Sequence, residues 1–163
     1  MKTITCIDLN KNTYEVEPSA LSWRPSVYGI IIRDDNILLV PQWDGYDLPG
    51  GGIELGETIE EWLIREMKEE TGLDGKVDDL VDCQTSFFRL PTPEPKYIQS
   101  IMLYYSVTVT WWELSTDGFD EEEKLYAKIA EWIPLSEIRN VNFKSSVGIL
   151  PILEKVLWKT HLT

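Results

Sequence analysis

The stretch from Gly51 to Leu73, GGIELGETIEEWLIREMKEETGL, constrains this chain more than any other. Its last two thirds read as one helix. Thr58 is a good N-cap, and Glu61 three positions later completes a capping box. Gly72 followed by Leu73 is a stop signal, a left-handed glycine and an apolar residue that folds back on the last turn. Leu63, Ile64 and Met67 give the helix an apolar stripe for a core. Glu66, Glu69 and Glu70 are spaced so that they share one face, spanning roughly 100° of the helix surface. Like charges this close weaken a helix. A cation between them would remove that cost, and carboxylate oxygens are what a hard divalent ion such as magnesium takes, together with substrate phosphates. Upstream, Leu48-Pro49-Gly50-Gly51-Gly52 leads into the helix, and consecutive glycines let a backbone come close to a ligand. Glu54 and Glu57 fall in the connecting loop.

These residues resemble the Nudix box, G-x5-E-x7-R-E-U-x-E-E-x-G-U, at every fixed position: Gly51, Glu57, Arg65, Glu66, Met67, Glu69, Glu70, Gly72 and Leu73. Nine positions at fixed spacing are far more specific than a lone glycine pattern. On them the chain is identified as a member of the Nudix hydrolase family. The box covers about a seventh of the sequence, and a strand before it and a Trp-Ile-Pro-Leu strand after it extend the resemblance over most of the chain. A plain solvated acidic helix would not account for the glycines, the arginine and the spacing together.

The resemblance implies an α/β fold, the Nudix-type α/β/α sandwich with a mixed β-sheet. Residues 1–163 then form a single domain, with 1–22 as an N-terminal β extension and 51–73 as the loop-helix. The implied reaction is hydrolysis of the pyrophosphate in a nucleoside diphosphate linked to another moiety, by water attack at phosphorus. That moiety is a nucleotide, a sugar or a second nucleoside polyphosphate. The implied cofactor is Mg2+ or Mn2+. Carried over by position, Glu66, Glu69 and Glu70 are the metal ligands and the Gly51 carbonyl is a further one, which would make a side chain unwelcome at Gly51. Glu57 orients the loop or a metal-bound water. Arg65 pairs with Glu69, or makes a plain helix salt bridge to Glu61. The general base is Glu69 or Glu70, ahead of any one residue of the Asp120–Glu123 loop. Two other readings use the same scaffold. A prenyl-diphosphate isomerase would need a catalytic cysteine, for which Cys83 is not obviously placed. A non-catalytic nucleotide-sensing domain tends to lose box carboxylates, and none is missing here.

Recognition of the substrate is less constrained. Among the aromatics, Trp43 and Tyr46 lie beside the glycines and are the candidates to touch a ligand. Phe87, Phe88, Trp111 and Trp112 are better explained by packing. Arg24, Arg89 and Lys96 are scarce positives, of which Arg24 is assigned to the substrate. Pro91 matches only loosely a proline of ADP-sugar-cleaving relatives, and the lone His161 lies in the tail.

Composition narrows the partners. A net charge of −13 argues against duplex nucleic acid, whose phosphates are neutralised by Lys and Arg. It leaves room for a phosphorylated small molecule, because a bound metal can invert the local field. Cys6 and Cys83 are only two and far apart, which predicts free, mostly buried thiols and a cytoplasmic protein. The opening residues have no apolar core of a signal peptide, and no stretch is long and apolar enough to span a membrane.

Along the chain, Thr3–Asp8 and Thr13–Val16 predict a hairpin around Asn10-Lys11-Asn12. Its exposed edge makes a homodimer a further expectation. Val27–Arg33 predicts a buried strand, and Ile37–Val40 its return. Lys76–Leu90 predicts one long strand or two short ones. Tyr97–Thr110 alternates, with Ile101, Leu103, Tyr105, Val107 and Val109 expected on the core face. Glu113–Glu123 is expected as an acidic loop and Glu131–Pro134 as a short strand. Ser145–Lys159 is expected as the last helix, with Pro151 starting or kinking it.

Overall fold

The computed structural model describes residues 2–110, 114 and 130–160. The acidic loop apart from Leu114, together with Trp111, Trp112 and His161, therefore lies outside the described residues. The larger sheet is built on a long antiparallel pair, β9 (Gly75–Leu90) and β10 (Lys96–Val109), joined through the proline-rich segment. Proline lacks the N–H a ladder needs, so Pro91, Pro93 and Pro95 end one strand and delay the next. On the far side of β10 runs β4 (Ser26–Ile30), parallel to it, and beyond that β8 (Gly50–Gly52), antiparallel to β4. Strand β3 (Leu21–Trp23) also pairs with β10. The hairpin of β1 (Ile4–Ile7) and β2 (Thr13–Val16) adds to the other edge, where Ile7 pairs in parallel with Phe88.

A smaller sheet holds β5 (Ile32–Arg33), β6 (Asn36–Gln42), β7 (Gly45–Asp47) and β11 (Glu131–Pro134). The run predicted as one strand, Val27–Arg33, is thus divided. It leaves the large sheet after Ile30 and joins the small one at Ile32, with Ile31 buried at the corner. Its carbonyl there accepts from the Leu38 N–H at 3.0 Å. Strands that switch sheets at such bends are how two sheets share a core.

Helix α1 (Ile59–Thr71) forms as its sequence predicts. The reciprocal Thr58–Glu61 capping box is made, and Gly72 closes the helix at φ 73°. Its buried side is Trp62, Leu63, Met67 and Thr71. Leu63 and Met67 pack with Val27, Leu38, Leu73 and Val107, and full burial of such a side chain contributes about 1.5–3 kcal/mol. Helix α2 (Ile149–Thr160) covers a second cluster with Ile149, Ile152 and Leu153 against Ile30, Leu39, Met102 and Tyr104. It starts at Ile149 rather than Ser145, so Pro151 falls in its first turn, where a missing N–H costs nothing.

Alternate residues of β10 feed these two clusters: Leu103, Tyr105 and Val109 face that of α1, and Met102 and Tyr104 that of α2. The face expected to be the core is only partly buried over Ile101–Tyr105, while Ile98, Ser100, Met102 and Tyr104 on the opposite face are buried. The pattern misleads because a central strand between two helical layers is covered on both sides. Bulges around Tyr105 then shift the register. The architecture is an α/β/α sandwich around a mixed sheet. Of the two cysteines, Cys6 is buried and Cys83, contrary to expectation, is exposed. Among the described residues no helix is long and apolar enough to cross a membrane.

Candidate active site

The glycine strand β8 is the seam of the site. Gly50 sits at φ 130°, and a Cβ there would strike the Val27 carbonyl. At Gly52 a Cβ would strike the Arg24 guanidinium, which lies across the strand. Both positions need glycine for space. Gly51 does not: an added Cβ meets nothing within 4 Å. The expectation that a side chain is unwelcome at Gly51 is therefore not met on steric grounds. What the strand offers at Gly51 is an open approach to its backbone.

On one side of β8 lies the charged face of α1. Arg65 is its hub. Nε and Nη2 donate to the two oxygens of Glu57 at 2.9 and 3.0 Å, a bidentate pair across the loop. Nη1 donates to Glu66 Oε1 at 2.9 Å and to Glu69 at 3.0 Å. The same guanidinium lies 4.2 Å over the Trp62 ring. Charge-assisted bonds of this kind are short and directional. Glu57 is held below the usual carboxylate range by its bonds to Arg65. Glu66 is pushed up, because burial outweighs the attraction of the arginine. Arg65 thus offsets part of the like-charge repulsion on this face, and the predicted Glu61 pair goes to the capping box instead.

Glu70 stands apart from that network. It points toward the glycine strand, and its Oε2 accepts from the Gly50 N–H at 2.8 Å. Burial pushes it up to about 8, and the charges of Glu66 and Asp47 add to the shift. A buried carboxylate with one hydrogen-bond donor and no cation is costly as an anion. Among the described residues no three carboxylate, histidine or cysteine groups converge as a ready-made metal site; Arg65 occupies the space between Glu66 and Glu69. The donor set nevertheless suits a hard divalent ion. It is all oxygen, it includes two carboxylates whose ionisation burial opposes, and the backbone at Gly51 is open.

Beside β8 is a cleft of about 290 Å³, lined by Gly50, Gly51 and Gly52 together with Arg24, Trp43 and Asp47. Its walls come from β4, β9, β10, the β6–β7 turn and the segment around Lys144–Ser146. Trp43 is 66% exposed and holds a left-handed φ of 49° in that turn. A bulky residue seldom adopts this region, and such outliers gather at functional sites.

The structure brings Arg24, Trp43 and Gly51 to the cleft and Glu57, Arg65, Glu66, Glu69 and Glu70 to the helix face beside it. Tyr46 is not among the cleft residues: its hydroxyl donates to Glu131 at 2.9 Å, and its ring packs toward the cluster of α2. The Asp120–Glu123 loop lies outside the described residues. Cys83 does not line the cleft either. Sequence reasoning passed over Asp47, which is buried and pushed up to about 7 by that burial. Its Oδ1 accepts from the Leu48 N–H at 2.8 Å. The signal was an acid inside Tyr46-Asp47-Leu48-Pro49, a run otherwise apolar.

A family model described as the NUDIX domain matches residues 23–153. An ADP-ribose pyrophosphatase of Methanocaldococcus jannaschii is 40% identical over 95 residues, 55% of this chain and 53% of that protein. An RNA pyrophosphohydrolase of Stutzerimonas stutzeri is 28% identical over 140 residues, 77% of this chain and 86% of that one. The solved structure of a NUDIX hydrolase from Nitrosomonas europaea superposes with a TM-score of 0.60 at 21% identity, covering 85% of this chain and 90% of that one. The match spans about half the length of the Methanocaldococcus relative.

Proposed function

This chain belongs to the NUDIX domain family, and from that premise we propose that it hydrolyses the pyrophosphate of a nucleoside diphosphate linked to another moiety, using a divalent metal ion. One observation carries the reading: strand β8 is shared, with the Gly50 N–H donating to Glu70 and Gly50–Gly52 lining the cleft. A pyrophosphate seated in the cleft along the glycines would lie beside the carboxylates.

In this reading Glu66, Glu69, Glu70 and the Gly51 carbonyl hold the ion, magnesium or manganese. When bound it supplies neutralisation of phosphate charge and activation of water. Arg65 keeps Glu57, Glu66 and Glu69 aimed, work of the kind that fixes ligand orientation. Glu69 or Glu70 takes the proton from the attacking water. Arg24 meets the phosphates across Gly52, and Trp43 stacks on the base. The exposed Cys83 away from the cleft leaves an isomerase without its cysteine. We take residues 1–163 as one domain acting in the cytoplasm, with the outer edge of β2 free to pair with a second copy. Sedimentation as a monomer at micromolar concentration would remove the dimer.

The test is turnover of nucleoside triphosphates, nucleotide sugars and dinucleoside polyphosphates with magnesium or with excess chelator. The expected products are a nucleoside monophosphate or a shortened phosphate chain, formed only with metal. Undiminished turnover in chelator, or release of inorganic phosphate from simple monoesters alone, would overturn the assignment.

A further inference from the structure

A second cavity, of about 300 Å³, opens beside the cleft and shares Leu9, Trp43, Pro91 and Lys144 with it. Its outer wall is the turn of the N-terminal hairpin, Asp8 and Asn10, and its inner wall is Arg89 near the end of β9. Four charges line it, two of each sign, and three are already engaged. Lys144 Nζ pairs with Asp44 at 2.6 Å. Asp8 accepts from the Asn10 and Asn12 N–H groups, from Asn12 Nδ2 and from the Tyr14 hydroxyl, all within 3.0 Å, as the anchor of the hairpin turn. Arg89 is different. Its guanidinium lies 4.8 Å over the Tyr14 ring, its Nε is buried with no acceptor, and no carboxylate pairs with it among the described residues. In a chain of net charge −13, an arginine with no carboxylate partner among the described residues, beside a substrate-sized cleft, is conspicuous.

We propose that this cavity binds an anionic group, a phosphate or a carboxylate, at the far end of the substrate, with Arg89 as its receptor and the N-terminal hairpin as its wall. The proposal rests on the pyrophosphohydrolase reading above and narrows it. The moiety beyond the pyrophosphate carries a further negative charge, and the planar fork of arginine suits it better than a neutral sugar would. It also gives the N-terminal extension a part in substrate choice.

The experiment uses two matched pairs: ADP-ribose against ADP-ribose phosphorylated on its terminal ribose, and UDP-glucose against UDP-glucuronate. Within at least one pair, the wild-type protein should favour the anionic member in kcat/KM by about tenfold or more. Arg89→Gln should bring that ratio near one, and Arg89→Lys should leave it intermediate, since a point charge remains without the fork. The ratio is measured within one variant, so a general loss of activity does not alter it. Should Arg89→Gln not fold after losing its contact with Tyr14, the drop in Arg89→Lys decides. Equal rates within both pairs in the wild type would refute the anion site and leave the hydrolase reading standing. Failure to hydrolyse any of the four, together with every nucleoside triphosphate and dinucleoside polyphosphate, would sink the hydrolase reading instead. The anion site would then be judged by calorimetric binding of the phosphorylated ADP-ribose in chelator, where Arg89→Gln binding as tightly as wild type refutes it and a tenfold loss supports it.

Discussion

The helix face and the cleft meet at the same three glycines but are put together differently. The charged residues of the face, Glu57 to Glu70, come from 14 consecutive positions. A helix places residues three and four apart side by side whatever the rest of the chain does, so that half is set locally. The cleft joins Arg24, Trp43, Asp47, Pro91 and Lys144, which only strand pairing brings together. The difference shows in the electrostatics. On the face, Arg65 bonds Glu57, Glu66 and Glu69 directly and holds Glu57 low, though burial still pushes Glu66 up, whereas Asp47 and Glu70 at the seam have no ion pair among the described residues and are shifted upward by burial.

Chemistry should therefore be lost most sharply on the helix side. Glu66→Gln, Glu69→Gln and Glu70→Gln should each cut turnover by roughly a hundredfold or more, since each weakens charge stabilisation in the transition state. Glu60→Gln, exposed on the same helix, should leave turnover nearly intact. Magnesium should raise the melting temperature of the wild type more than that of Glu66→Gln or Glu70→Gln. Near-normal rates with an unchanged magnesium shift would reduce the face to surface charge.

The seam should respond in stability. Gly50→Ala combines a left-handed backbone with a collision at Val27, so denaturation should report a loss of about 1–3 kcal/mol. Gly51→Ala has open space and should stay within about 0.5 kcal/mol. Equal costs would mean that the strand is held differently from the arrangement described.

Asp47 gives the cleft a pH signature. Its folded pKa, about 7, lies above the ordinary 3.8. The protonated form is favoured in the native state, so its stabilisation is complete below pH 3.8 and is lost as pH rises through about 7. Over that window the loss is up to ~1.4 kcal/mol per pH unit for a group titrating alone. Without metal, the wild-type melting temperature should therefore fall relative to Asp47→Asn as pH rises. Parallel curves would mean that Asp47 is solvated. The smallest effect on substrate choice belongs to Thr58→Ala, which removes a cap remote from the cleft. It should cost about 1 kcal/mol and leave the preference between substrates unchanged, whereas a changed preference would tie the two halves together more tightly than their separate construction suggests.

What the sequence determined is what repeats within a turn or two of chain. The capping box, the Gly72 stop, the carboxylate face, the proline break between β9 and β10 and the N-terminal hairpin all depend on neighbours closer than about a dozen positions. Their geometry follows from backbone periodicity and a few side-chain bonds. Tertiary structure decided the rest. Tyr46 and Asp47 are adjacent, yet one turns to Glu131 and the other into the cleft, because successive residues of a strand face opposite ways and only sheet pairing says which way is inward. Likewise Arg65 reached Glu57 as well as Glu69, and β10 buried the face its alternation did not favour. Each outcome hangs on where a loop folds back or which layer covers a strand, and those are set by burial of the whole chain rather than by the order of residues at the spot.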